Sequence, residues 1–168
     1  MRLPEQRLWD RLSSLMSGRW VATRVENRVE KSMPDLFFSH HEVHGWIELK
    51  AYRQPTRDTT KFKISNWTAG QQAWALRFAE ALTPVWLVVH FDRTNEIFVL
   101  GAHDALAANN KLSVDQFRIK YGHQALGWNV RDAKMMIDLL QQAWFNSCVT
   151  AAMAPPVLRV VPSISIPK

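Results

Sequence analysis

Pro34-Asp35 and Glu48-Leu49-Lys50, separated by twelve residues, are the side chains of this sequence best suited to chemistry. Each group borders a strand-like apolar run: Asp35-Leu36-Phe37-Phe38 on one side, Gly45-Trp46-Ile47-Glu48-Leu49-Lys50-Ala51 on the other. Two such strands joined by a short polar turn would set Asp35 beside Glu48. Alternate residues of a strand share a face, so Glu48 and Lys50 project together. Two carboxylates suit Mg²⁺, which prefers oxygen ligands in octahedral geometry and keeps several waters; Mn²⁺ takes the same kind of donors. The backbone carbonyl of Leu49 is placed to add a third oxygen. A cation held there would polarise a phosphate ester and lower the pKa of an attacking water. Lys50 would orient that water, or stabilise a pentacovalent transition state by its charge.

These residues need a scaffold, and the sequence implies one. Residues 4–16 predict a helix: Leu8, Leu12 and Leu15 recur at helical spacing, with Pro4 in the first turn and Gly18 at the stop. A strand over 20–25 and a charged segment over 26–31 lead to the Asp35 strand. Residues 40–45 read as a hairpin turn and 52–62 as a basic loop. A second helix is expected over 67–82, with Trp67, Trp74, Phe78 and Leu82 in one stripe. Val85-Trp86-Leu87-Val88-Val89 reads as a strand buried on both faces. A turn over 92–95, a strand over 96–100 and a short helix over 102–108 follow. Residues 111–129 are ambiguous. A helix is expected over 131–145, with Met135, Met136, Leu139, Leu140 and Trp144 on its apolar side. The order predicts an α/β or α+β core with a mixed sheet. A single domain over 1–150 is expected, followed over 151–168 by an extended tail containing Pro155, Pro156, Pro162 and Pro167.

Composition narrows the partners. The chain has 168 residues, 47% hydrophobic and 21% charged, which is the balance of a soluble domain with its own core. The formal net charge of +6 favours an anionic partner, most simply nucleic acid. Cys148 is the sole cysteine, which rules out an intrachain disulfide and a zinc site built on several thiolates. With no acidic residue or histidine near it in sequence, Cys148 reads as a small apolar residue. No apolar run reaches membrane-spanning length, and Met1 to Arg7 lack the apolar core of a signal peptide. A cytoplasmic location without membrane contact is expected.

Pro34-Asp35 with Glu48-Leu49-Lys50 resembles the signature of the PD-(D/E)xK nuclease superfamily. The resemblance covers residues 4 to 100. It implies a restriction-endonuclease-like core, a central mixed sheet flanked by helices in the order α-β-β-β-α-β. It also implies Mg²⁺-dependent hydrolysis of DNA phosphodiesters, with Asp35, Glu48 and the Leu49 carbonyl on the metal. Family members often carry a further acidic residue on the first helix; Glu5 matches that position, with Asp10 its competitor. Thr68-Ala69-Gly70-Gln71-Gln72-Ala73-Trp74 is similar to VRR-NUC domains and archaeal-type Holliday junction resolvases, where a glutamine early on the helix precedes an aromatic residue by three. That similarity implies that Gln71 holds a water or phosphate oxygen near Lys50, with Gln72 the alternative. Trp74 reads as core. Ser32-Met33 stands before Pro34 where the family often has glycine. The small layout resembles stand-alone phage nucleases, which would act in the host cytoplasm.

Basic residues surround these motifs. Arg24, Arg28 and Lys31 precede Asp35; Arg53, Arg57, Lys61 and Lys63 follow Lys50. They are candidates for contacts to a phosphate backbone. His40, His41 and His44 form an HHxxH cluster on a turn, where surface residues are expected rather than zinc ligands. The leading expectation is a structure-selective DNA endonuclease, with RNA left open. Resolution of a junction needs two symmetric cuts and so a homodimer. The alternative is a catalytically silent nucleic-acid-binding module, or a structural protein, on the same fold.

Overall fold

A computed structural model describes residues 4–18, 20–25, 32–41 and 43–153. Arg28, Lys31 and the proline-rich segment from residue 154 onward lie outside the described residues. The elements are α1 (Pro4–Met16), β1 (Val21–Arg24), β2 (Leu36–His40), β3 (Val43–Tyr52), α2 (Ala69–Glu80), β4 (Val85–Phe91), β5 (Glu96–Gly101), α3 (Ala102–Ala108), α4 (Val114–Tyr121), β6 (Ala125–Gly127) and α5 (Ala133–Met153). The fold is α/β. Its strands form one six-stranded mixed sheet in sequence order. All neighbours are antiparallel except β3 and β4, which run parallel. A parallel pair needs a crossover, and α2 with its flanking loops supplies it.

Helices cover both faces. On one, Leu8, Leu12 and Met16 of α1 meet Ile47 and Leu49 of β3, Trp86 and Val88 of β4, and Met136 and Leu140 of α5. On the other, Leu87, Val89 and Phe98 pack with Phe62, Phe117 and Tyr121. Beside them Trp74, Ala75 and Ala79 of α2 cover Val85 and Trp46. This double cover explains why all seven residues of β4 are buried. Trp86 is wholly buried, and its indole N–H donates to the Leu140 carbonyl at 2.7 Å, so its one polar atom is satisfied.

The structure differs from the sequence reading in particular places. The hairpin is tighter than 40–45. His41 takes a left-handed φ of 48° and β3 begins at Val43, so His44 and Gly45 lie within the strand. Gly45 is required there, because a Cβ would overlap the Pro84 carbonyl oxygen and the Trp86 ring. Helix α2 is shorter than 67–82. Thr68 caps it, Trp67 packs in the preceding loop against the Phe62 cluster, and Leu82 follows its end, exposed. The expected four-residue stripe is therefore only Trp74 and Phe78. Helix α5 runs past residue 145 to Met153, and rotates so that Met136, Ile137, Leu140 and Ala143 are buried while Met135 is exposed. The ambiguous stretch holds α4, capped by Ser113, then a short 3-10 turn and β6.

Candidate active site

Asp35 sits at a bend just before β2, with buried Pro34 behind it. Its carbonyl accepts from the Val25 N–H at 2.9 Å, tying the bend to β1. In the β2–β3 ladder Leu36 pairs with Ile47, so Asp35 stands one step further, beside Glu48. The ladder stops there, and a strand N–H on that side of β3 needs another partner. Asp35 provides it: its Oδ2 accepts from the Leu49 N–H at 2.7 Å. A strand residue's N–H and C=O point to the same side, so the Leu49 carbonyl opens on the same edge of β3 as Asp35.

Glu48 and Lys50 project from the opposite face of β3 to Leu49, beneath α2. Their side chains are only 3% and 7% exposed, and Lys50 Nζ lies 2.6 Å from Glu48 Oε1. Gln71 Nε2 donates to the same oxygen at 2.7 Å. Glu48 Oε2 is buried and has no hydrogen-bond partner among the described residues. Burial, and then the charge of Asp35, push the Glu48 pKa up to about 7 against the opposing attraction of Lys50. A carboxylate held between these influences ionises near neutrality, as groups at functional sites often do.

The position of Gln71 follows from how α2 begins. Thr68 and Gln71 form a capping box: Thr68 Oγ1 accepts from the Gln71 N–H at 3.2 Å, and Gln71 Oε1 accepts from the Thr68 N–H at 3.1 Å. With its oxygen fixed by the cap, the amide aims its NH₂ group at Glu48. Gln72 turns away and donates to the Trp67 carbonyl at 2.8 Å. Helical phase thus selects Gln71. Gly70 lets the segment before Asp35 approach the same helix start, since a Cβ there would press on Ser32 Oγ. Trp74 is buried core, with its ring stacked on Phe78 and edge-on to Trp46.

Not every expected residue joins this cluster. Among the described residues no three His, Cys, Asp or Glu side chains form a group able to hold a metal, so Glu5 is not gathered with Asp35 and Glu48. The reason is topological: α1 packs on the Leu49 face of the sheet, whereas Glu48 points to the α2 face. Asp10, the competitor, accepts from Gln6 Nε2 at 2.8 Å. Arg53, Arg57, Lys61 and Lys63 are exposed in the loop after β3. Arg24 donates to Gln6 Oε1. His41 and His44 are exposed and His40 is half-buried, its ring edge-on to that of His41. Cys148 is half-buried, and burial pushes its thiol pKa up. Sequence reasoning missed Arg7, which lines a cavity with Arg53. Nothing in its local sequence signals this, because Arg7 and Arg53 belong to different elements.

The donor set fits a hard divalent cation. It offers a carboxylate at Asp35, a buried unpartnered carboxylate oxygen at Glu48 and the Leu49 carbonyl. No family model matches this chain, and a search of curated proteins finds no match. Among the described residues no helix is long and apolar enough to cross a membrane.

Proposed function

We propose that this chain is a Mg²⁺-dependent nuclease with the restriction-endonuclease-like form of its α/β fold, hydrolysing DNA phosphodiesters. The observation that supports it most is the convergence of Asp35, Glu48, Lys50 and Gln71 where the β2–β3 ladder ends. The order α1-β1-β2-β3-α2-β4 is the order that the resemblance implies.

Asp35, Glu48 and the Leu49 carbonyl would hold Mg²⁺ or Mn²⁺. The metal, when bound, supplies Lewis acidity toward the phosphate and lowers the pKa of water. The chain's own residues do the rest. Gln71 fixes Glu48 Oε1, which leaves Oε2 directed elsewhere as a ligand. Glu48 must give up its proton to serve, and a pKa near 7 sets the pH above which it does. Lys50 brings a fixed positive charge into a buried site, where it acts more strongly than in water on the developing charge of a pentacovalent phosphate. The exposed basic loop after β3 suits a phosphate backbone. A structure-selective role such as junction resolution, a homodimer and a cytoplasmic setting belong to the same reading, with RNA as the other candidate polymer.

One observation favours a second reading. Lys50 and Gln71 already satisfy Glu48 Oε1 without a metal, as a silent nucleic-acid-binding module would require. Cleavage assays separate the two. Labelled four-way junction, linear duplex and single-stranded DNA are incubated with Mg²⁺, Mn²⁺ or EDTA, beside Lys50→Ala. Metal-dependent cutting lost in the variant supports the nuclease, and the preferred substrate identifies its selectivity. Binding without cutting in either metal selects the silent module.

A further inference from the structure

A cavity of about 290 Å³ lies at the carboxyl ends of β3 and β4, lined by Pro4 and Arg7 of α1, Ala51 of β3, and Arg53, His90 and Asp92. Arg53 follows Lys50 by three residues, roughly 10 Å along an extended chain. The cavity opens on the face of the sheet that α1 covers, whereas Glu48 and Lys50 project to the α2 face.

Three of the other arginines are committed to the fold. Arg11 donates to the Trp128 and Val130 carbonyls, Arg93 to those of Pro55 and Thr56, and Arg118 pairs with Glu96. Arg7 and Arg53 have no hydrogen bond or ion pair among the described residues, yet they line one cavity. Its single carboxylate, Asp92, accepts the Gln54 N–H at 2.9 Å. Burial, first of all, lowers the His90 pKa, with the charge of Arg7 adding to it and the bond to Asn95 and the charge of Asp92 opposing. The cavity is thus built with two guanidinium groups against one carboxylate. Guanidinium forks match phosphate oxygens in pairs and stay charged at every relevant pH.

We propose that Arg7 and Arg53 seat a non-scissile phosphate where the nucleic-acid strand passes the end of β3, on the face of the sheet opposite to Glu48 and Lys50. This rests on the nuclease reading. Neither arginine touches the reacting atoms; both are positioning residues.

The test measures binding of labelled duplex and single-stranded DNA to the full chain in EDTA over a range of salt, with cleavage kinetics in Mg²⁺ alongside. Arg7→Ala and Arg53→Ala should each weaken binding about tenfold at low salt. Each should flatten the plot of log K against log salt by about one unit. KM should rise with kcat nearly unchanged. Arg53→Lys should restore the salt slope but not the full affinity. Lys134→Ala, whose ammonium pairs with Asp138 beside His40 at the far end of β2, should change none of these. Wild-type cutting with unaltered affinity and slope in both arginine variants overturns the phosphate seat and leaves the nuclease standing. A wild-type chain that neither binds nor cuts any DNA overturns both. Comparing strands with and without a 5′-phosphate tells the phosphate's source: a difference abolished by Arg53→Ala assigns the strand end, and equal affinities assign the strand interior.

Discussion

Two helices of this fold begin with the same device and use it differently. Thr68 and Gln71 cap α2; Ser113 and Gln116 cap α4, with the same pair of reciprocal bonds at nearly the same distances. At α4 the glutamine is exposed, and the box only satisfies backbone groups at the helix start. At α2 the glutamine lies over β3, and its NH₂ group reaches Glu48 at 2.7 Å. A local capping motif thus becomes part of a candidate active site when the residue beneath it is a buried carboxylate. The cap fixes the amide oxygen, which decides that the nitrogen, and not the oxygen, meets Glu48.

The largest expected effect lies at the α2 end of this comparison. Lys50→Ala should lower metal-dependent cleavage about a thousandfold, the upper range for removing one charge-stabilising group, while DNA binding in EDTA persists. Cutting at the wild-type rate by this variant would remove the catalytic role from the whole cluster.

The next effect is on stability against pH. Glu48 has its pKa raised from 4.5 to about 7 in the folded chain. Between those values the native state binds more protons than the unfolded state, so stability falls as pH rises through that window. In metal-free protein the loss should approach about 3 kcal/mol as an upper bound. Urea titrations at pH 4.5, 6 and 8 measure it. Glu48→Gln should flatten this part of the profile. Tyr121 of α4, whose hydroxyl donates to Asp104 Oδ1 at 3.3 Å, should leave the same window untouched, because burial and then the charge of Asp104 raise its pKa still further above it. Mg²⁺ should stabilise the protein more at pH 8 than at pH 6, since it competes with the Glu48 proton.

Gln71→Ala and Gln116→Ala set the two helix starts directly against each other. Cleavage should drop about 10- to 100-fold in the first, as expected for losing a hydrogen bond to a charged group. The second should cut like wild type. Both should lose the stability of one capping bond, and Gln71→Ala more, because it also loses the bond to Glu48. Equal activity in the two variants would make Gln71 a cap and nothing more. The smallest effects are those of Thr68→Ala and Ser113→Ala, each costing about 1 kcal/mol in chemical denaturation. Only Thr68→Ala should also reduce cleavage, by freeing the Gln71 side chain to turn.

Much of this arrangement is legible in the residues themselves. Alternation along β3 puts Glu48 and Lys50 on one face, and the short hairpin returns Asp35 to their side. The α1 stripe of Leu8, Leu12 and Leu15, the wholly apolar β4 and the turn before β5 follow from local pattern as well. Thr-x-x-Gln and Ser-x-x-Gln carry the signal of both caps, yet the apolar spacing alone starts the second helix at 67 and leaves 111–129 ambiguous. Less legible were the ends and rotations of helices. Trp67 has helical spacing from Trp74, but the Thr68 cap competes with another turn of helix and wins. Met135 and Ile137 are both apolar and near neighbours, and only the position of α5 against β5 buries one and exposes the other.

By itself, then, the sequence determined which side chains could share a strand face and where the chain had to turn, because alternation in strands and capping at helix starts are local rules. It also determined the net positive charge, which favours an anionic partner. Tertiary structure decided which of two adjacent glutamines meets Glu48, that Glu5 stays on the other face of the sheet, and that Arg7 of the first helix joins Arg53 after the third strand. Those outcomes depend on how helices rotate and dock on the sheet. Burial of whole faces sets that rotation through contacts between residues far apart in the chain, which no local pattern encodes.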